Sequence, residues 1–141
     1  MPLQIFVTHH LVKGEDLNHH GTLFAGRGAE WFVESGFVAA SNMTNPENTV
    51  CLNIHGLLFT RPVAKGSIIR YESKVIYTGR TSIVVYVKVI MANNEDFVLD
   101  GFMTFIHVNK DGRSTPHGLV VKPVIAEDIA LHERAKSLLK K

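Results

Sequence analysis

Leu17-Asn18-His19-His20-Gly21-Thr22-Leu23-Phe24-Ala25-Gly26-Arg27-Gly28-Ala29-Glu30-Trp31-Phe32-Val33-Glu34-Ser35-Gly36-Phe37-Val38-Ala39-Ala40 opens polar and glycine-rich, then becomes the longest apolar-periodic run in the chain. Ala25, Ala29, Phe32, Val33, Gly36, Phe37 and Ala40 recur three or four apart, which predicts one apolar face of a helix over about 24–42. Arg27, Glu30, Glu34 and Ser41 take the other side. Gly26, Gly28 and Gly36 lie inside this helix, each at a cost of about 1 kcal/mol relative to alanine. A close approach of sheet backbone to the helix is expected to offset that cost.

Outward from this run the chain is mostly strand-like. Residues 3–12 predict a first strand, closed by a turn at Lys13-Gly14-Glu15-Asp16. Asn42 to Asn48 stops the helix, with Pro46 fixing the break. Thr49 to Thr60 predicts a strand with a bulge at Gly56, and Arg61 to Gly66 a loop. Three strands over about 67–78, 81–92 and 97–108 then run as a meander. Residues 113–124 read as irregular, and 126–141 as a surface helix whose closing lysines suit the negative end of its dipole. One apolar helix followed by antiparallel strands must bury its face against a sheet. The class is therefore α+β, a central helix wrapped by a sheet, in one domain spanning 1–141.

Fifteen basic and thirteen acidic residues leave a net charge of +2, with no basic block before the tail. This argues against nucleic acid as a partner. One cysteine, Cys51, permits no intrachain disulfide and suits a reducing, cytoplasmic setting. The N-terminus lacks the basic and apolar segments of a signal peptide, and no apolar run is long enough to span a bilayer, so no membrane role is expected.

Two readings attach to each motif. Asn18-His19-His20-Gly21 precedes the helix start, where free N–H groups and the dipole can polarise a carbonyl or hold an oxyanion, and Gly26 admits a close ligand. The same residues also make an ordinary tight turn. Glu34 is expected to be largely buried, which is costly unless it is paired or functional. Alternatively it closes an ion-paired stripe with Glu30 and Arg27, Glu30 being the nearer partner for Arg27. The paired histidines His9-His10 and His19-His20 lack chelating spacing, and no metal motif appears, so no metal site is expected. His55 reads as a satisfied core or interface histidine, and Cys51 as a core residue rather than a nucleophile. Gly79-Arg80-Thr81-Ser82 is either a phosphate-holding turn or a plain one.

Taken together, four segments resemble the hotdog-fold acyl-CoA thioesterases. Asn18 to Gly26, with Trp31 and Glu34, resembles that family's N-x-x-G-x-x-F-G-G…W-x-D-E opening. Leu58-Phe59-Thr60-Arg61-Pro62-Val63-Ala64-Lys65-Gly66 resembles its F-x-R-P-x-x-x-G segment, Tyr77 to Ser82 its V-G-R-T-S segment, and Gly101-Phe102-Met103-Thr104-Phe105 its late T-F strand. The match runs in order from about residue 5 to 120. The resemblance implies a hotdog fold: a five-stranded antiparallel sheet around one long helix, paired into a homodimer with active sites at the interface. Many such members form hexamers, as trimers of dimers. The implied reaction is metal-free hydrolysis of an acyl-CoA to an acid and CoA, with CoA a part of substrate and product rather than a cofactor.

Two positions depart from that pattern. The family's catalytic aspartate falls at Val33, which cannot act as a base, and Ala25 replaces the first glycine of the pair. Other hotdog enzymes use a helix glutamate, and in the dehydratases a loop histidine precedes it by the spacing seen between His20 and Glu34. The resemblance thus implies Glu34 as base or nucleophile, Asn18 from a partner protomer as positioner, and N–H groups near Gly26 and Arg27 as oxyanion donors. It suggests Arg61, Arg80, Thr81 and Ser82 for CoA, and Phe24 and Trp31 as walls of the acyl tunnel. The alternatives are an acyl-CoA-binding protein without a competent base, and a hydratase or dehydratase using His20 and Glu34.

Overall fold

The computed structural model describes residues 3–139; Met1 and Pro2, and the Lys140-Lys141 end of the expected tail helix, lie outside the described residues. Five antiparallel strands form one sheet: β1 (Phe6–Leu11), β2 (Thr49–Ile54), β3 (Ile68–Thr78), β4 (Ser82–Met91) and β5 (Phe97–His107), in the order β1-β3-β4-β5-β2. The long helix α1 (Ala25–Met43) covers one face, and a second helix α2 (Ala126–Leu138) packs on the other. The strand alternation makes this two-sided burial possible. On β4, Ile83, Val85, Val87 and Val89 join the core under α1, whereas Val84 and Tyr86 join Ile76, Phe102 and Leu131 under α2.

The expected helix is present, but its buried stripe is rotated. Gly28, Trp31, Phe32, Ser35, Gly36, Ala39 and Ala40 are buried, while Ala25 is exposed and Ala29, Val33 and Phe37 are only half-buried. Trp31 faces β1, stacked on His10 at 4.2 Å, and Phe37 faces β5, its ring 6.2 Å from that of Phe105. Val33, one turn before Phe37, lies on the β5 flank. The glycines also meet side chains rather than sheet backbone. A Cβ on Gly36 would collide with Met103 Cε, and one on Gly26 would lie 2.5 Å from the Phe24 ring.

The strand expected over 49–60 stops at Ile54. Gly56 is not a bulge but lies in the irregular segment just past the strand, with φ +98°, a left-handed conformation that glycine alone adopts freely. The register shift falls earlier, between Cys51 and Asn53. Beyond it the chain crosses β5 closely: a Cβ on Gly101 would lie 3.0 Å from the Gly56 carbonyl oxygen and 3.2 Å from the Phe32 ring. Cys51 is exposed on this edge strand, not in the core. The tail helix is more than a surface element. It buries Asp128, Leu131 and Ala135, and its Asp128 Oδ1 accepts from Lys74 Nζ at 2.5 Å.

Candidate active site

The approach to α1 is held by Asp16, without a side-chain N-cap on the helix. Phe24 occupies the cap position and offers no side-chain acceptor. Instead Asp16, 3% exposed, takes the Lys13 N–H at 2.9 Å and the Arg27 Nε at 3.2 Å, while its carbonyl takes the Phe24 N–H at 2.8 Å. The sequence does not single out Asp16, because Lys-Gly-Glu-Asp reads as a solvated turn. Arg27 also meets Glu30 at 3.0 Å, as expected, but Glu34 forms no ion pair among the described residues.

Asn18 builds the turn that follows. Its Oδ1 accepts the N–H groups of His20 at 2.9 Å and Thr22 at 3.1 Å, and its Nδ2 donates to Thr22 Oγ1 at 3.2 Å. Gly21, with φ +82°, completes the bend. His20 is exposed with its ring 3.9 Å from that of His19, and among the described residues no hydrogen bond or ion pair joins it to Glu34. At the helix start, the Arg27 and Gly28 N–H groups donate to the Phe24 carbonyl. The N–H groups of Ala25 and Gly26 precede any intrahelical acceptor, unlike that of Arg27, but the Phe24 ring lies over Gly26 where an open approach for a ligand is expected from the sequence.

Beside this terminus opens a cavity of about 300 Å³ between α1, the segment 59–63 and the α1 face of the sheet. Its interior is apolar: Leu23, Val63, Ile69, Val89 and Leu99. Asn18, Thr60 and Arg61 carry its polar rim. Deeper in, Tyr71 supplies a polar group, and its hydroxyl donates to the Gly28 carbonyl at 3.0 Å. Burial pushes that phenol well above its usual range, so it remains a neutral donor. Neither Trp31 nor Phe24 lines this cavity. Trp31 is committed to β1, and Phe24, 55% exposed, lies over Gly26 outside it.

Glu34 is exposed rather than buried, because the helix turns it away from the sheet. It is one turn beyond Trp31, and its charge reaches the half-buried His10 on β1. Burial lowers the His10 pKa, against the opposing pull of the Glu34 and Asp16 carboxylates. Glu34 and Val33 therefore occupy different sides of α1.

The proposed CoA residues do not converge within one chain. Arg61 reaches Asp96 at 3.4 Å and the Phe97 carbonyl at 3.4 Å, at the β4–β5 end of the sheet. Arg80, Thr81 and Ser82 form the β3–β4 turn at the other end, where His117 Nε2 lies 2.9 Å from the Ser82 carbonyl oxygen. His55 is satisfied, with Nε2 2.6 Å from Thr104 Oγ1 and Nδ1 3.3 Å from Asn53 Nδ2. Among the described residues no group of three His, Cys, Asp or Glu stands close enough to hold a metal ion.

A family model described as the thioesterase superfamily matches residues 20–97. An uncharacterized acyl-CoA thioester hydrolase, YkhA, of Bacillus subtilis (strain 168) is 30% identical over 124 residues, covering 85% of this chain and 71% of that protein. The crystal structure of an acyl-CoA hydrolase from Bacillus cereus superposes with a TM-score of 0.86 at 28% identity, covering 95% of this chain and 83% of that one. An apo-hexameric acyl-CoA thioesterase superposes with a TM-score of 0.85 at 27% identity, covering 97% and 90%.

Proposed function

This chain belongs to the thioesterase superfamily, and on that premise we propose that it hydrolyses acyl-CoA thioesters to a free carboxylic acid and CoA. The observation that carries the reading is the apolar cavity with a polar rim, opening beside the α1 N-terminus at Ala25. A thioester carbonyl seated at that rim would draw on the Ala25 N–H for its developing oxyanion, and such a donor is worth about 3 kcal/mol. Asn18 orders the rim. Glu34 is the group we assign to proton transfer: it takes a proton from water as the water oxygen attacks the carbonyl carbon. The carbon–sulfur bond then breaks, and the CoA thiolate receives a proton.

Because Glu34 faces out of its own protomer, the thioester it serves is presented by a second copy. The edge of β2 supports such pairing: among the described residues no strand pairs with it on that side, and Val50, Leu52 and Ile54 are 49%, 65% and 39% exposed. Antiparallel pairing there joins two sheets and sets the Arg80 turn of one copy toward the Arg61 end of the other. We extend to this chain the hexameric state of one relative, as a trimer of such dimers. No cofactor beyond the CoA of the substrate is assigned. The single cysteine suits the cytoplasm, and no helix among the described residues is long and apolar enough to cross a membrane.

The test is free-thiol release from a panel of acyl-CoAs by wild type and Glu34→Gln. Turnover by wild type, with a loss of about 100-fold or more in a folded Gln variant, supports both the activity and the assignment. Equal turnover removes Glu34 from the mechanism and leaves the hydrolase reading intact. A second reading is favoured by Val33, which packs half-buried against the core where a carboxylate base is expected from the resemblance. In that case wild type binds acyl-CoA and releases no thiol. An absorbance change with enoyl-CoA would instead indicate a hydratase.

A further inference from the structure

Gly28 differs from the other core-facing glycines. At 36 and at 101 a Cβ meets close neighbours: at one it would have to displace the flexible end of Met103, and at the other it would crowd the Gly56 carbonyl and the Phe32 ring. At Gly28 a Cβ would rest at ordinary van der Waals distance: 3.5 Å from Leu23, 3.6 Å from Phe59 and 3.8 Å from the Tyr71 hydroxyl. Gly28 is buried and has ordinary helical backbone, so neither strain nor crowding accounts for it. The glycine weakens the helix at this point. What it leaves is room for one methyl group between Leu23, Phe59 and Tyr71, on the wall of the 300 Å³ cavity.

We propose that Gly28, Phe59 and Tyr71 delimit the acyl chamber, and that the chamber admits apolar acyl groups of medium length or a single aryl ring and excludes long chains. This rests on the hydrolase reading and names its substrate class. The size follows from comparison: an apolar cavity of about 150 Å³ accepts benzene, so twice that volume, with its outer part taken by the thioester, holds about eight to ten carbons. The inner end is closed. Ile69 and Val89 are 0% and 1% exposed, and the Tyr71 hydroxyl is tied to the Gly28 carbonyl, so the wall does not open by rotating a free side chain. A charged or carboxylated acyl terminus would be stranded against this apolar lining. Phe59, 45% exposed, forms the outer wall and is the side on which the chamber can be enlarged.

The experiment compares kcat/KM for acyl-CoAs from acetyl to palmitoyl, with benzoyl and phenylacetyl, in wild type, Gly28→Ala and Phe59→Ala. Wild type is expected to prefer medium or aryl groups over palmitoyl by at least tenfold. Gly28→Ala should shift the butyryl-to-octanoyl ratio at least tenfold toward butyryl while melting no lower than wild type. Phe59→Ala should shift the ratio the other way. An unchanged chain-length profile in both variants, or palmitoyl turnover equal to octanoyl in wild type, overturns the proposal. If wild type hydrolyses nothing, the hydrolase reading fails and affinities for the same acyl-CoAs decide the chamber by the same ratios: a shift supports it, and identical ratios overturn it.

Discussion

Lys74 and Asp128 meet at 2.5 Å with their side chains 10% and 1% exposed, joining β3 to α2 across the outer face of the sheet. Few apolar groups of α2 are buried beside them, chiefly Leu131 and Ala135, so this pair anchors the helix. Asp128→Ala leaves the Lys74 ammonium buried without its partner and should cost about 3 to 5 kcal/mol in urea unfolding. Replacing both, as Lys74→Met with Asp128→Leu, should recover most of the loss. A single-variant loss under about 1 kcal/mol, at the level of a surface pair, would refute the anchoring role.

Asn18 separates turn-building from chemistry. Its Oδ1 accepts two backbone N–H groups, which an aspartate also does, while only the amide donates to Thr22. Asn18→Ala should lower stability by about 2 kcal/mol. Asn18→Asp should melt near wild type. If Asn18 also handles the thioester, the Asp variant loses kcat at unchanged melting temperature; if it builds the turn alone, both parameters stay put.

Gly101→Ala inserts a methyl between the Gly56 carbonyl oxygen, 3.0 Å away, and the Phe32 ring, 3.2 Å away. Overpacking of this kind costs about 1 to 3 kcal/mol. Calorimetry of this variant beside Gly28→Ala, which should be neutral or stabilising, checks the contrast between a glycine required by packing and one that is not.

His10 and His55 both have pKa values lowered by burial. The unfolded chain therefore binds protons that the folded chain refuses. Stability from these two histidines is complete above the unfolded value near 6.5 and is lost as pH falls from there toward the folded values. Melting temperature should drop between about pH 7 and pH 5, and His10→Phe should flatten part of that slope by keeping the stack on Trp31 without the titration. An unchanged slope in the variant would remove His10 from the acid response.

Much of this architecture is legible in the sequence. The spacing of Phe32, Gly36 and Ala40 identifies the helix, and the strand expected over about 81–92 is β4, whose burial on both faces shows only in the structure. The rotation of the helix stripe is not legible, because Trp31 and Ser35 are buried by what β1 and β3 bring to them. The end of β2 is hidden by Leu57-Leu58-Phe59, an apolar run that reads as strand although Gly56 turns left-handed ahead of it. Asp16 is hidden for a similar reason: its burial depends on Arg27, eleven residues later, folding back on it. The exposure of Glu34 follows from the same rotation, since a helix that turns Trp31 to β1 also turns the carboxylate away from the core.

Arg61 and Arg80 sit at opposite ends of β4, a strand of ten residues, roughly 30 Å long. If both serve one CoA, no single polypeptide contains a whole site, and each site is a property of a pair. Damaged chains can then repair one another. A protomer carrying Arg61→Ala and a protomer carrying Arg80→Ala, each inactive as a homodimer, would regain one intact site of two when mixed and reassembled. The yield would follow the binomial statistics of subunit exchange.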